Sequence, residues 1–177
     1  MIASAAILLR HHGSSSTSFP KVLTHSGAPR GSIGHHFPGG KTELLREAVT
    51  AAGSEITERL TAAAAAGADA TTLVDGICDY FTAWLVRTDF TAGCPVAAVA
   101  QDAYDNPELA AATNRAIQAW TDVLSDTLTG DDPARARALA QLCVAAVEGA
   151  IMMARVAHST EPLDAVRAQL RPLLTNP

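Results

Sequence analysis

Between Thr17 and Lys41 the chain gathers the side chains best suited to holding a polar ligand: Thr17, Arg30, Ser32, His35, His36 and Lys41. An arginine can pair bidentately with the O6 and N7 atoms of guanine, and a serine can serve several bases. Histidines further along the same short segment suit the flanking backbone, because a helix in a groove lays its later residues beside phosphates. Lys41 stands where the next helix begins, at free N–H groups and a positive dipole end that already favour an anion. A cation there makes sense when a phosphate is bound. The hydroxyl of Thr17 suits either a phosphate or an N-cap.

Bond-making chemistry has weaker support. Gly39-Gly40-Lys41-Thr42 resembles the end of a phosphate-binding loop, but the first glycine of that motif falls at His35 and no strand precedes it. The sequence contains no metal-spaced His/Cys/Asp cluster and no nucleophile elbow. The chain is therefore read as a non-enzyme, with no cofactor and no metal.

The elements that must position these residues are set by their breakers. Thr17 is a plausible N-cap, Pro20 is tolerated only in a first helical turn, and Val22 and Leu23 supply an apolar patch. Ser26-Gly27-Ala28 ends that helix, and Pro29 fits the first position of a second running to about His36. Phe37 is the apolar plug, and Pro38-Gly39-Gly40 is a stop. Two short helices around a glycine-containing turn form the helix-turn-helix pattern, whose second helix enters the major groove of DNA. Ile33 and Phe37 are expected to face the core rather than DNA.

Composition agrees with an all-helical chain, since alanine is abundant and aromatics are 5%. Cys78, Cys94 and Cys143 are odd in number and lack CxxC spacing, which points to a reducing cytoplasm rather than a disulfide framework. No apolar run approaches the roughly 18 residues needed to cross a bilayer, so no membrane role is expected. The net charge of −5 is unevenly divided. Residues 1–42 carry Arg10, Lys21, Arg30 and Lys41 with no acid, and five of the six histidines. Residues 43–177 carry nine Lys/Arg against eighteen Asp/Glu. A basic head on an acidic body points to nucleic acid at one end.

Further helices are expected over Ile2–His12 (ended by Gly13), Lys41–Ala65, Leu73–Val86, Val96–Tyr104, Pro107–Leu128, Pro133–His158 and Pro162–Leu174. Ile77, Tyr80, Phe81, Trp84 and Leu85 cluster as the richest aromatic patch. Gly130-Asp131-Asp132-Pro133 reads as a capped restart with Asp132 as N-cap. Leu139, Leu142, Ala146, Gly149, Ile151 and Met153 make the following helix apolar nearly all round, so it must bury itself in a core or an interface.

At GAPRGSIGHHFPGGKTELL the chain resembles the recognition-helix signature of TetR-family transcriptional repressors. With Gly93-Cys94-Pro95, it resembles the subgroup containing the lincomycin-resistance and flavonoid-responsive repressors. The resemblance implies an all-α protein with a three-helix DNA-binding head at residues 1–42 and a helical ligand-binding and dimerisation body at 43–177. It implies DNA contacts from Thr17, Arg30, Gly31, Ser32, His35, His36 and Lys41. It implies a cavity for a small apolar inducer, to which Tyr80, Phe81, Trp84, Tyr104, Trp120 and Glu148 are assigned. The last two helices would pair with their copies in a homodimer bound to double-stranded operator DNA. Two departures stand out. Gly34 replaces the aromatic residue usual in the family, and the basic arm usual before the first helix is not seen. They motivate an alternative, a degenerate member that binds apolar ligands or dimerises but holds DNA weakly.

Overall fold

The structure, a computed structural model, describes residues 1–128 and 132–175; of Ser32 and Tyr104 it describes the backbone alone. All regular structure among the described residues is helical, and the chain divides into two compact units. Unit 1 comprises Met1–Ser54 and Cys94–Ala116, and unit 2 comprises Glu55–Gly93 and Ile117–Pro177.

In unit 1, α1 (Ile2–Ser16) buries Ala5, Leu8 and Leu9. Gly13 breaks it as expected, at φ 74 and ψ 179, but a further helical turn follows before α2 (Phe19–Ser26). The break corrects the cap assigned to Thr17. Its own N–H bonds to the Ser14 carbonyl, and its hydroxyl donates to the Gly13 carbonyl left over, at 2.7 Å. Ser18 occupies the N-cap of α2 instead, with Pro20 in the first turn. Gly27 closes α2 in the left-handed conformation, φ 68, where its N–H reaches the Leu23 carbonyl.

The second helix of the motif is shorter and tighter than expected. Pro29 has an extended ψ of 141 and precedes a 3-10 turn at Arg30–Ser32, which runs into the four-residue α3 (Ile33–His36). Gly31 and Gly34 weaken helix formation in this segment, so it starts as a tight turn rather than a full α-helix. Phe37 is buried, as expected of a plug, and Ile33 is half-buried. The long α4 (Gly40–Ala65) places Leu44, Leu45, Ala48 and Val49 in the core of this unit.

The expected helix from Val96 to Tyr104 divides into α6 (Pro95–Ala100) and a 3-10 turn at Ala103–Asp105. Here α5 denotes Ala70–Arg87 of unit 2. Val96 and Val99 are buried, and α6 packs on α1. Asn106 then starts α7 (Pro107–Thr127), its side-chain oxygen accepting from the Leu109 N–H at 3.2 Å and its amide donating to the Thr42 hydroxyl at 3.3 Å.

In unit 2, Asp69 caps α5 through the Thr72 N–H at 2.8 Å, which holds its carboxyl below the usual range. Asp132 caps α8 (Pro133–Ala157) as expected, accepting from the N–H groups of Ala134 and Arg135 at 3.0 Å. Gly130 and Asp131 of the expected restart lie outside the described residues. The last helix, α9 (Glu161–Thr175), packs on both α8 and α5. Its Arg167 reaches Asp79 at 2.5 Å and its Arg171 reaches Asp75 at 2.7 Å, both on α5.

The α8 helix is apolar on two sides. One side buries Ala140, Cys143, Val147, Ala150 and Ile151; the other exposes Leu142, Met152, Met153 and Val156. An 18-residue window of it reaches a mean hydropathy of 1.6, enough by length and composition to cross a bilayer. This corrects the expectation that no apolar stretch approaches that length: the average is high although Gln141 and Glu148 interrupt the run.

Candidate nucleic-acid interface and body cavity

Glycine 27 and the extended Pro29 turn the chain between α2 and the Arg30–His36 segment, and Phe37 pins the end of that segment to the core. The outward side is therefore polar. Arg30, Gly31, His35 and His36 are exposed, and the two imidazoles meet edge to face with centroids 5.2 Å apart. The side chain of Ser32 lies outside the described residues; its backbone sits between Gly31 and Ile33 in the same segment.

Thr17 and Lys41 stand differently. Thr17 is only 1% exposed and its hydroxyl is committed to Gly13 inside the head. The Lys41 ammonium donates to the Ser15 carbonyl at 3.3 Å, satisfying an acceptor near the end of α1. The positive end of α4 already has an anion, since Glu43 accepts from the Gly39 N–H at 2.7 Å. The cation of Lys41 thus has an internal explanation that needs no phosphate.

Charge also looks different in space than along the chain. Unit 1 adds Arg46 and Arg115 to the four early cations, and it adds Glu43, Glu47, Asp102, Asp105 and Glu108. The head is therefore close to neutral as a unit, with six cations against five acids. His36 borders a hollow of about 530 Å³ that it shares with Glu43 and Glu47. The stretch without acids is thus a property of residues 1–42 along the chain rather than of the folded unit.

In unit 2, a cavity of about 30 Å³ is walled by α4, α5, α7 and α8. Phe81, Trp120 and Glu148, three of the residues assigned to a ligand cavity, line it. Tyr80 and Trp84 do not. Tyr80 donates to Glu55 at 3.0 Å beneath the Arg59 guanidinium, and Trp84 is covered by Arg87 at 3.9 Å. Their rings serve as platforms for cations rather than as cavity wall. The side chain of Tyr104 lies outside the described residues. Val74, Ile77 and Phe81 form the stripe of α5 that faces the cavity, at spacings of three and four, and Tyr80 and Trp84 fall on the adjoining stripe. That register was the available signal.

Cys143, also unassigned from the sequence, lines the cavity opposite them. Burial pushes its thiol up to about 11, with a smaller contribution from Cys78. Burial also raises the Cys78 thiol, against the pull of Arg167. Both thiols are thus held protonated and unreactive. The cavity, at about 30 Å³, is far smaller than the roughly 300–1,000 Å³ of ordinary small-molecule sites.

A sequence model described as the C-terminal domain of LmrA/YxaF-like transcriptional regulators matches residues 70–169. An uncharacterised HTH-type transcriptional regulator of Mycobacterium tuberculosis is 43% identical, over 98% of this chain and 92% of its own length. The HTH-type regulator LmrA of Bacillus subtilis is 28% identical, over 92% of this chain and 88% of its own. Among solved structures, a TetR regulatory protein of Rhodobacter sphaeroides superposes with a TM-score of 0.83 at 20% identity, covering 96% of this chain and 94% of that one. A TetR regulator of Chloroflexus aurantiacus gives 0.78 at 26% identity, over 99% and 92%.

Proposed function

Because this chain belongs to the TetR family of transcriptional regulators, we propose that it is a homodimeric repressor of the cytoplasm, released from operator DNA by a small apolar molecule. The observation that carries this reading is the exposed Arg30–His36 segment, which contains no acid of its own, follows the turn at Gly27 and ends at the buried Phe37. Arg30 reads a base edge, Gly31 lets the backbone approach, and Ser32, His35 and His36 follow the strand. Lys41 gives a lesser contact from its place beside Ser15, and Thr17 holds the Gly13 kink that supports α2. In this functional partition residues 1–42 bind DNA and residues 43–177 bind ligand and partner chain.

The dimer is supported by the outer stripe of α8, where Leu142, Met152, Met153 and Val156 are 48–82% exposed. A second copy covers that stripe and sets two recognition segments at neighbouring half-sites, about 34–36 Å apart or a multiple. Apolar lining at Phe81 and Trp120, with Glu148 beside them, suits a mainly hydrocarbon inducer. Entry of that inducer favours a second arrangement of the dimer, and a coupling of about 1–3 kcal/mol changes operator affinity roughly 5–150-fold.

Met153→Glu tests the interface directly. Sedimentation should show the parent chain as a dimer and the variant as a folded monomer with operator binding lost. A monomeric parent that still binds operator tightly would sink the homodimer reading. Gly34 and the near-neutral unit 1 favour a second reading, a dimeric ligand-binding member with weak DNA affinity.

A further inference from the structure

The chain carries three thiols and three thioethers, and the fold separates them. Cys78, Cys94 and Cys143 are 0%, 5% and 1% exposed. Burial also raises the Cys78 and Cys143 thiols, whereas thiol chemistry needs the thiolate. Met152 and Met153 are instead 58% and 57% exposed on α8. A thioether has no proton to lose before it reacts, so exposure sets its access to an oxidant.

The two methionines sit where added polarity matters. They belong to the outer side of α8, together with the exposed Leu142 and Val156. Being consecutive, they leave the helix about 100° apart and so widen that apolar side. Gly149 precedes them by one turn, and a Cβ built there meets no described atom within 4 Å. Long side chains on a helix lean toward its N-terminus, which carries both thioethers toward this open turn.

We propose that Met152 and Met153 form an oxidation site, at which a peroxide turns the outer side of α8 from apolar to polar and loosens its pairing with a second copy. A sulfur lone pair attacks one peroxide oxygen, an S–O bond forms as the O–O bond breaks, and hydroxide departs. The proton left on the transferred oxygen passes to that hydroxide, giving one sulfoxide and one water. Sulfur loses two electrons and the peroxide gains them. Burying the new oxygen against apolar side chains costs it a hydrogen bond to water. The effect on pairing rests on the homodimer reading above; the oxidation site does not. In a pair the same side is covered, so a peroxide reaches the thioethers when the copies part, and access falls as chain concentration rises.

Limited treatment of the full chain with hydrogen peroxide, at several protein concentrations, tests both parts. Peptide mass spectrometry should place oxygen on Met152 and Met153 before any of the three cysteines is oxidised. Their rate should fall as concentration rises, while Met1, in unit 1, oxidises at an unchanged rate. Sedimentation of the doubly oxidised chain should show a dimer dissociation constant raised about tenfold or more. Methionine sulfoxide reductases for both epimers, with a thiol reductant, should restore it. The double variant Met152→Leu, Met153→Leu should show no peroxide-dependent change in that constant, whatever its starting value. Cysteine oxidation ahead of the methionines, or full double oxidation with the dimer constant unchanged, would overturn the proposal. A parent that is monomeric at every concentration would sink the homodimer reading and the pairing effect with it, while the order of oxidation would still decide the site.

Discussion

Gly34 is the residue whose replacement should tell most about the DNA-reading surface. It lies inside α3, only four residues long, and a Cβ built there meets nothing within 4 Å. Its φ is not in the left-handed region, so an L side chain costs no backbone strain. Glycine inside a helix costs about 0.5–1 kcal/mol relative to alanine. With no clash to offset it, Gly34→Ala should return that amount wherever binding requires α3 to be ordered, tightening operator affinity by about two- to fivefold. Gly34→Tyr should tighten it further, because the added ring projects from an exposed position beside Ile33 and His35. Fluorescence anisotropy with labelled operator measures both. The slope of log K against log salt should stay the same for alanine, since no phosphate contact has been added. Unchanged or weaker binding by Gly34→Ala would refute the claim that order in α3 limits affinity.

Other consequences concern the body and the helix contacts. Val147→Ile should fill the cavity of about 30 Å³, and at roughly 24 cal/mol per Å³ this stabilises the chain by about 0.7 kcal/mol. A melting point raised by about 2 °C, with weaker uptake of an apolar fluorescent probe, is the expected result; a lowered melting point would mean the space is already filled. Gly53→Ala puts its Cβ 2.6 Å from that of Ala116, an overpacking worth about 1–3 kcal/mol against a helix gain near 1. Adding Ala116→Gly should recover stability, and a purely additive double mutant would show that the two helices do not meet there. Cys143 binds its proton more tightly when folded, so its contribution is complete below its ordinary value of 9.0 and is lost as pH rises toward about 11. Urea melts at pH 8 and pH 11 should therefore differ for the parent and differ less for Cys143→Ala.

The helices were legible because glycine, proline and capping residues punctuate this chain clearly. Gly27, Asn106, Asp132 and Pro133 stand where their chemistry assigns them. Positions that depend on a partner distant in sequence were not legible in this way. Thr17 reads as a cap in the sequence because its acceptor, the Gly13 carbonyl, becomes available only through a kink. Lys41 opposes the dipole of α4 in the sequence, but in the fold Glu43 reaches back to Gly39 and complements that dipole. The basic head loses most of its charge once α4 and the stretch around α6 fold into the same unit. For the cavity, Phe81 and Tyr80 differ by one position, about 100° around a helix, and the aromatic cluster alone did not say which stripe faces inward. The approach of Arg155 to Gly93 gives no sequence signal, because the two lie 62 positions apart in the chain and are joined only by packing.

The central claim is that the Arg30–His36 surface holds a specific DNA sequence. The most direct measurement is an anisotropy titration of the parent chain and Arg30→Ala against the DNA just upstream of the gene, at two salt concentrations. Expected is tight, selective binding by the parent, with log K falling by about 0.9 per neutralised phosphate as log salt rises. Arg30→Ala should lose about 1–3 kcal/mol and much of the selectivity. Binding by a folded, dimeric parent no tighter than to random DNA would contradict the claim.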